Sequence, residues 1–186
     1  MTATGIFESD GRAVPYAVEG DGPVSLVLLA PSDLEGDGMG VVAHYLAEEA
    51  GFQITRIGSG ADASTSQRVA DAAAVADHLG ITDTWIGGYG FGGTIARHFA
   101  ATHHDRVNGL LLLGVEDAPI PLAPVIPVLI IQGANDSNNP PANGERLQST
   151  APERATVTTL DGADHHFPAT HPMETAVIIE EYLDWD

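Results

Sequence analysis

Short apolar runs alternate with longer stretches of helical periodicity along most of this 186-residue chain. Residues 24–30, 107–114 and 128–132 are apolar at almost every position, which is typical of strands buried on both faces of a sheet. Between such runs, apolar residues recur at the spacing of a helix. Because strands and helices alternate, the pattern predicts an α/β fold: a mostly parallel central sheet with helices on both faces.

The remaining elements follow from the same periodicities and from turn residues. Ser64 is suited to cap the start of a helix and Gly80 to end it. Residues 115–127 contain four prolines, so we expect no regular structure there. No repeat or linker interrupts the chain, and we expect a single α/β domain over residues 1–186. The other predicted strands are residues 13–18, 52–57, 82–86 and 155–160, and the predicted helices are residues 41–50, 64–79, 94–103, 142–149 and 173–182.

The composition is strongly acidic and lacks two reactive residue types. The chain has 26 Asp and Glu against seven basic residues, all of them Arg, and a formal net charge of −19. Without Lys there is no P-loop or Schiff-base lysine, and without Cys there is no thiol nucleophile, disulfide or cysteine zinc site. A field this negative repels phosphate backbones, so we expect no nucleic-acid partner.

Neither the N-terminus nor the histidines indicate a membrane or a metal. The first residues lack the basic and apolar regions of a signal peptide, and the apolar runs are far shorter than the roughly 20 residues of a membrane span. The pairs His103-His104 and His165-His166 lack a third ligand at a suggestive spacing. We therefore expect a cytoplasmic protein with no membrane partner, no metal and no other cofactor.

A glycine-rich segment, residues 87–93, lies between a predicted strand and a predicted helix. Gly88, Gly90 and Gly93 match G-x-G-x-x-G, the fingerprint of dinucleotide-binding domains. The same segment matches the nucleophile elbow G-x-S-x-G, except that Gly90 stands at the position of the serine. Both motifs use glycine for a tight turn into a helix, so the segment alone leaves both interpretations open.

The order and spacing of other segments resemble the α/β-hydrolase superfamily, in particular its small esterases, lactonases and C–C hydrolases. Residues 10–23 look like the first hairpin of that family, and residues 26–31 look like its third strand. Residues 126–136 resemble the strand and loop that carry the catalytic acid, and residues 162–165 resemble the loop of the catalytic histidine. A dinucleotide-binding domain usually has its glycine motif on the first strand, whereas several strands precede it here.

The resemblance implies roles for several residues. Gly90 stands at the nucleophile position, Asp136 would be the acid and His165 the general base, with His166 as the competing base. The backbone amides of Ser32 and Phe91 would form the oxyanion hole. The side chains expected to touch a small-molecule substrate are Tyr89, Ser32 and His166.

The chain departs from the family in three places. Gly90 cannot form an acyl-enzyme because it has no side chain. Ala30-Pro31 replaces the His-Gly that usually follows the third strand, and Pro31 would affect the loop that presents the Ser32 amide. Residues 115–125 are too few for a helical cap (lid), so we expect a shallow, open mouth that a second copy of the chain could cover.

Three functions remain open at this stage. The first is a hydrolase of a small ester or lactone in which glycine replaces the serine at position 90. The second is a lyase, isomerase or cyclase in which Asp136 and His165 form a general base without a nucleophile. The third is a protein without catalysis that binds a small molecule or a protein partner.

Overall fold

The computed structural model, which describes residues 2–184, is built around one eight-stranded sheet. Its strand order is β1-β2-β4-β3-β5-β6-β7-β8; β2 pairs antiparallel with β1 and β4, and all other pairs are parallel. The strands are β1 (Thr2–Ser9), β2 (Arg12–Glu19), β3 (Ser25–Leu29), β4 (Gln53–Ile57), β5 (Thr84–Tyr89), β6 (Val107–Leu113), β7 (Val128–Gly133) and β8 (Ala155–Leu160).

In the described residues six α-helices cover the two faces of the sheet, and a short 3₁₀ helix (His104–Arg106) follows the third of them. The helices are α1 (Gly40–Glu48), α2 (Thr65–His78), α3 (Phe91–Thr102), α4 (Pro141–Ser149), α5 (Phe167–Thr170) and α6 (Pro172–Leu183). One apolar core lies under α2, α3 and α4, and a second lies under α1 and α6. The predicted α/β class, with a mostly parallel sheet between two helical layers, is confirmed.

Strand β6 shows why its last four residues are all apolar. Leu110 and Leu112 belong to the core under α3, whereas Leu111 and Leu113 belong to the core on the opposite face. Successive side chains of a strand point to opposite faces, so a central strand between two helical layers needs apolar residues at every position. The run of four leucines is therefore a consequence of its central place in the sheet.

Helix α2 begins where its capping residues predict. The Oγ of Ser64 accepts a hydrogen bond from the Gln67 N–H (3.2 Å), and Gln67 Oε1 accepts one from the Ser64 N–H (2.8 Å). This reciprocal capping box satisfies two backbone donors at the helix N-terminus. Gly80, just beyond the helix, has a positive φ of 71°, as expected of the residue that ends it.

The glycine-rich segment contains more regular structure than its sequence predicts. Strand β5 continues through Gly87 and Gly88 to Tyr89, and α3 begins at Phe91 instead of Thr94. Glycine has low intrinsic preference for both strand and helix, so the pattern underestimated both elements. Strand and helix are therefore separated by a single residue, Gly90.

Residues 114–127, which connect β6 to β7, contain neither helix nor strand, as the prolines predict. Two buried or half-buried arginines hold this crossover segment through its carbonyl groups. Arg97 on α3 donates to the oxygens of Ala118 and Ile120, and Arg154 donates to that of Ile126 (2.8 Å). The segment thus lies against the body of the protein in the place where a cap would be inserted.

Candidate active site

The residues singled out by sequence meet at one edge of the sheet. Gly90 follows β5, Asp136 lies in the loop after β7, and His165 lies in the loop after β8. In an open parallel sheet the carboxyl ends of the strands share one edge, and ligands bind there. The candidate residues therefore lie on the side of the molecule where this architecture places its chemistry.

Gly90 makes a sharp turn from strand to helix. Its backbone angles are φ 57° and ψ −122°; its N–H donates to Leu113 O (2.8 Å), and its carbonyl accepts from Thr94 N–H (3.3 Å). A Cβ at this position would have no atom closer than Asn139 Nδ2, at 4.0 Å. The turn thus has room for a side chain, although the positive φ would strain any residue other than glycine.

The neighbouring glycines are required by close packing of backbone on backbone. A Cβ on Gly88 would overlap the backbone of Gly92, and a Cβ on Gly92 would overlap the carbonyl oxygen of Leu29 at the end of β3. Strand β3 and the start of α3 can therefore approach each other only because residue 92 has no side chain. Packing accounts for these glycines without a bound dinucleotide.

This contact predicts a large penalty for Gly92→Ala. The added methyl group meets a backbone oxygen that cannot rotate away, so we expect the free energy of unfolding to fall by about 3 kcal/mol. The control is Gly60→Ala, because a Cβ on Gly60 has nothing within 4 Å; there we expect a change within about 0.5 kcal/mol. Urea unfolding of both variants measures the difference, and equal stabilities would contradict the packing argument.

Asp136 and His165 form a hydrogen-bonded pair. His165 Nδ1 lies 3.1 Å from Asp136 Oδ2, and the carboxylate is fully buried while the imidazole is 23% exposed. The other carboxylate oxygen accepts the N–H groups of Asn138 (2.9 Å) and Asn139 (2.8 Å). The tautomer with its proton on Nδ1 donates to this carboxylate and leaves Nε2 as a proton acceptor. The pair can therefore act as an oriented general base.

The adjacent histidine is placed differently. His166 is exposed, and its backbone N–H donates to Asp164 Oδ1 (2.9 Å). Its ring stands edge-on to the ring of His165, with centroids 5.5 Å apart. Of the two imidazoles, the one in contact with Asp136 is that of His165, so the geometry favours His165 as the base and leaves His166 at the rim.

Tyr89 supports the histidine loop. Its hydroxyl donates to the backbone oxygen of His165, and its ring packs at 5.2 Å from the imidazole and edge-on to Phe167. Burial, followed by the negative charges of Asp136 and Asp164, raises the pKa of Tyr89 to about 12. The phenol therefore stays neutral and keeps donating its proton. The sequence predicted Tyr89 to contact substrate; in the structure its hydroxyl donates to the backbone oxygen of His165.

A Tyr89→Phe variant tests this support. Losing the hydrogen bond should lower the free energy of unfolding by about 1 kcal/mol at neutral pH. The pKa of Tyr89 is raised in the folded state, so this stabilisation is complete below pH 10, the ordinary value, and is lost as pH rises towards about 12. The stability difference between the two proteins should thus shrink between pH 10 and 12, and urea unfolding across that range measures it. A difference that does not change with pH would contradict the assignment, since all other tyrosines titrate in both proteins.

The two residues proposed for the oxyanion hole also lie at this edge. Ser32 follows β3, and Phe91 is the first residue of α3, where backbone N–H groups have no partner within the helix. The Cδ of Pro31 would lie 3.7 Å from a Cβ on Gly92, which shows how closely these two segments approach. Within residues 2–184, neither the Ser32 nor the Phe91 N–H donates to a protein acceptor. Both donors are therefore available to a ligand.

Other features of the molecule lie away from this edge. A cavity of about 670 Å³ is lined by Trp85, Leu129 and Thr156, which stand near the amino ends of β5, β7 and β8, and by Tyr182 of α6. That is the end of the sheet opposite the candidate base. In the part of the chain that the structure describes, no three His, Asp or Glu side chains are grouped to hold a metal ion, and no helix is long and apolar enough to cross a membrane.

Comparison with known proteins connects this geometry to a fold. No protein-family model and no curated protein sequence matches the chain. Among solved structures, a thermophilic esterase from Thermogutta terrifontis shares 17% identity at a TM-score of 0.81, covering 98% of each chain. A serine hydrolase from Cycloclasticus zankles shares 14% identity at a TM-score of 0.84, covering 99% of this chain and 98% of the other. The protein has the α/β-hydrolase fold.

The resemblance noted in the sequence is therefore confirmed at the level of the fold. A bromoperoxidase from Bacillus anthracis has the same α/β-hydrolase architecture, with 15% identity, a TM-score of 0.80 and coverage of 99% and 100% of the two chains. One fold thus carries different reactions, and the chemistry of this protein has to be argued from its own side chains. In this α/β-hydrolase fold, Asp136 and His165 are in contact, and the residue at the turn between β5 and α3 is Gly90.

Proposed function

We propose that this site is an ester- or lactone-hydrolysing site that needs a serine at position 90 for covalent turnover. The observation that carries the proposal is the buried Asp136–His165 pair, kept together at 3.1 Å on the same edge of the sheet as a turn with room for a side chain. A carboxylate that orients an imidazole has a direct chemical purpose when the imidazole must take and return a proton. The esterases among the structural neighbours support the same reaction class.

The reaction proceeds in two halves in the Gly90→Ser variant. The serine oxygen attacks the carbonyl carbon of the substrate while its proton passes to Nε2 of His165, and the resulting oxyanion accepts the N–H groups of Ser32 and Phe91. The C–O bond to the alcohol then breaks, and the alcohol leaves with the proton from His165. Water attacks the acyl-enzyme, gives its proton to His165, and releases the carboxylic acid as the serine regains a proton.

The chain with Gly90 has the base and the amide donors but no atom to acylate. Such a site binds ester or lactone substrates without forming an acyl-enzyme. Any turnover has to use water that His165 deprotonates directly, which is far slower because the water is not held in place by a covalent bond. A small substrate fits best, because residues 114–127 form no cap to enclose a long one.

Covalent labelling with a fluorophosphonate tests the proposal. The reagent should modify the Gly90→Ser variant at position 90, because an assembled base and oxyanion hole activate the serine. The matched controls are Gly90→Ala, which has a side chain but no oxygen, and the double variant Gly90→Ser/His165→Ala, which lacks the base. Peptide mass spectrometry locates the label. Absence of labelling in a folded Gly90→Ser variant, or equal labelling without His165, would refute the proposal.

A further inference from the structure

A buried arginine on α2 binds the loop that follows β3. Arg68 is only 8% exposed, and its guanidinium donates to the carbonyl oxygens of Ala63 (2.9 Å), Ala61 (3.3 Å) and Pro31. Within residues 2–184, no carboxylate oxygen lies within 4 Å of this guanidinium, although the chain contains 26 acidic residues. Its partners are backbone carbonyls, and its positive charge is not cancelled by a contacting acid.

The bond to Pro31 determines where the next amide points. The peptide between Pro31 and Ser32 is trans, so its C=O and its N–H point in opposite directions. With the oxygen bound to Arg68, the Ser32 N–H is directed to the side away from the guanidinium. Ser59 also holds residues 30–32 in place. Its N–H donates to Ser32 O (2.9 Å), and its Oγ donates to Ala30 O (3.0 Å).

The same guanidinium also touches the second amide donor residue. The Cζ of Arg68 lies 5.6 Å from the centre of the Phe91 ring, within the range of a cation–π contact. Phe91 is 36% exposed. One side chain from α2 therefore contacts the peptide that carries the Ser32 N–H and the residue that carries the Phe91 N–H.

We propose that Arg68 is a positioning residue for the oxyanion hole: it orients the Pro31–Ser32 peptide and the start of α3 so that both N–H groups converge on the reacting oxygen. The inference rests on the proposed function. A carbonyl that accepts from a guanidinium also polarises its peptide, which strengthens the N–H on the other side as a donor. The uncancelled positive charge adds a favourable field for the developing oxyanion in a chain whose net charge is −19.

Proline at position 31 fits this role. Pro31 has no N–H and a fixed φ, and the N–H of Ala30 already donates to Ile57 O (2.8 Å), so the amide of Ser32 is the first one available after β3. The proline ring does not fix ψ, the rotation that orients the next peptide. Arg68 supplies the missing restraint by holding the carbonyl oxygen.

The kinetic test uses the Gly90→Ser variant as the parent protein and a short-chain nitrophenyl ester as substrate. Removing one oxyanion donor typically costs about 10²–10³ in kcat, so misorienting the donors in Arg68→Gln should cost about tenfold to a hundredfold. KM should change less than about threefold, because the ester ground state uses these donors weakly. Arg68→Lys keeps the charge but reaches fewer carbonyls, so its kcat should lie between those of the parent and Arg68→Gln.

The matched control is Arg106→Gln. Arg106 also donates to a backbone oxygen, that of Ile81, and to Asp77 (2.8 Å), but it contacts none of the residues of the candidate site. Loss of this arginine should leave kcat and KM of the Gly90→Ser parent unchanged. A folded Arg68→Gln variant with the kinetics of the Arg106→Gln control, or an equal loss in both, would overturn the proposal.

A second readout does not depend on activity and uses the chain with Gly90. In ¹H–¹⁵N spectra, Arg68→Gln and Arg68→Lys should shift the amide resonances of Ser32 and Phe91, whereas Arg106→Gln should leave both in place. If Gly90→Ser is inactive, the proposed function fails, and these amide shifts still decide whether Arg68 orients the two donors. If Arg68→Gln does not fold, Arg68→Lys carries both measurements, and unshifted amides in that variant would refute the inference.

Discussion

Replacing Gly90 with serine is expected to raise the rate of ester hydrolysis at least about a thousandfold over that of the present chain. In a serine hydrolase triad, removal of the nucleophile costs about 10⁶ in rate, and the oxyanion hole and binding alone retain only about 10³–10⁴ over water. Asp136 and His165 are already in contact, and under the proposed function the substitution adds the nucleophile that they require. Initial rates on short-chain nitrophenyl esters measure the gain.

The same substitution should make the protein less stable. A Cβ at position 90 would clash with no atom. However, a φ of 57° is unfavourable for a residue with a side chain, and this strain lowers the free energy of unfolding by about 1–3 kcal/mol. Gly90→Ala is the matched control, because it should lose the same stability in urea and gain no activity. A Gly90→Ser variant that is folded and no faster than Gly90→Ala would show that base and donors are not assembled for catalysis.

The second large effect is expected when the acid–histidine pair is disrupted in the Gly90→Ser parent. His165→Ala should lower kcat by about 10⁶, and Asp136→Asn by about 10⁴, because an amide at position 136 favours the wrong tautomer of the imidazole. In the same parent, a variant that combines Asp136→Asn with His165→Ala should be no slower than His165→Ala alone, since the acid acts only through the histidine. Steady-state kinetics of the three variants test this order.

His166→Ala provides the control for the choice of base. His166 is exposed and does not contact Asp136, so its loss should change kcat of the Gly90→Ser parent by less than about threefold. A loss in His166→Ala as large as that in His165→Ala would assign the base to the neighbouring residue. Full activity in Asp136→Asn would show that catalysis does not need the carboxylate.

The amino-acid pattern predicted the layers of the fold well, because a strand that is buried on both faces appears in the sequence as a continuous apolar run. Strands β3, β6 and β7 are apolar at almost every position, and Ser64 and Gly80 mark the two ends of α2. The boundary between β5 and α3 was less predictable. Its glycines are present because two backbones touch, and a contact between β3 and α3 leaves no periodic trace in either segment.

The site was predictable only in part. Asp136 and His165 are 29 residues apart in the chain, and their pairing followed from resemblance to a family and not from spacing. Arg68 and Tyr89 gave no comparable signal, because their roles depend on which backbone oxygens lie within reach after folding. Turn residues, in contrast, act on their own neighbours, which is why Gly90 could be singled out beforehand.

The contacts of the arginines determine how the native protein responds to proteases. Trypsin cleaves after Lys and Arg, and this chain offers only seven such bonds because it has no Lys. Every one of these arginines makes a hydrogen bond or ion pair with its side chain, and five of them donate to backbone carbonyls. Cleavage therefore requires a bound arginine to be released by local or global opening of the fold. Digestion by trypsin thus reports on unfolding itself.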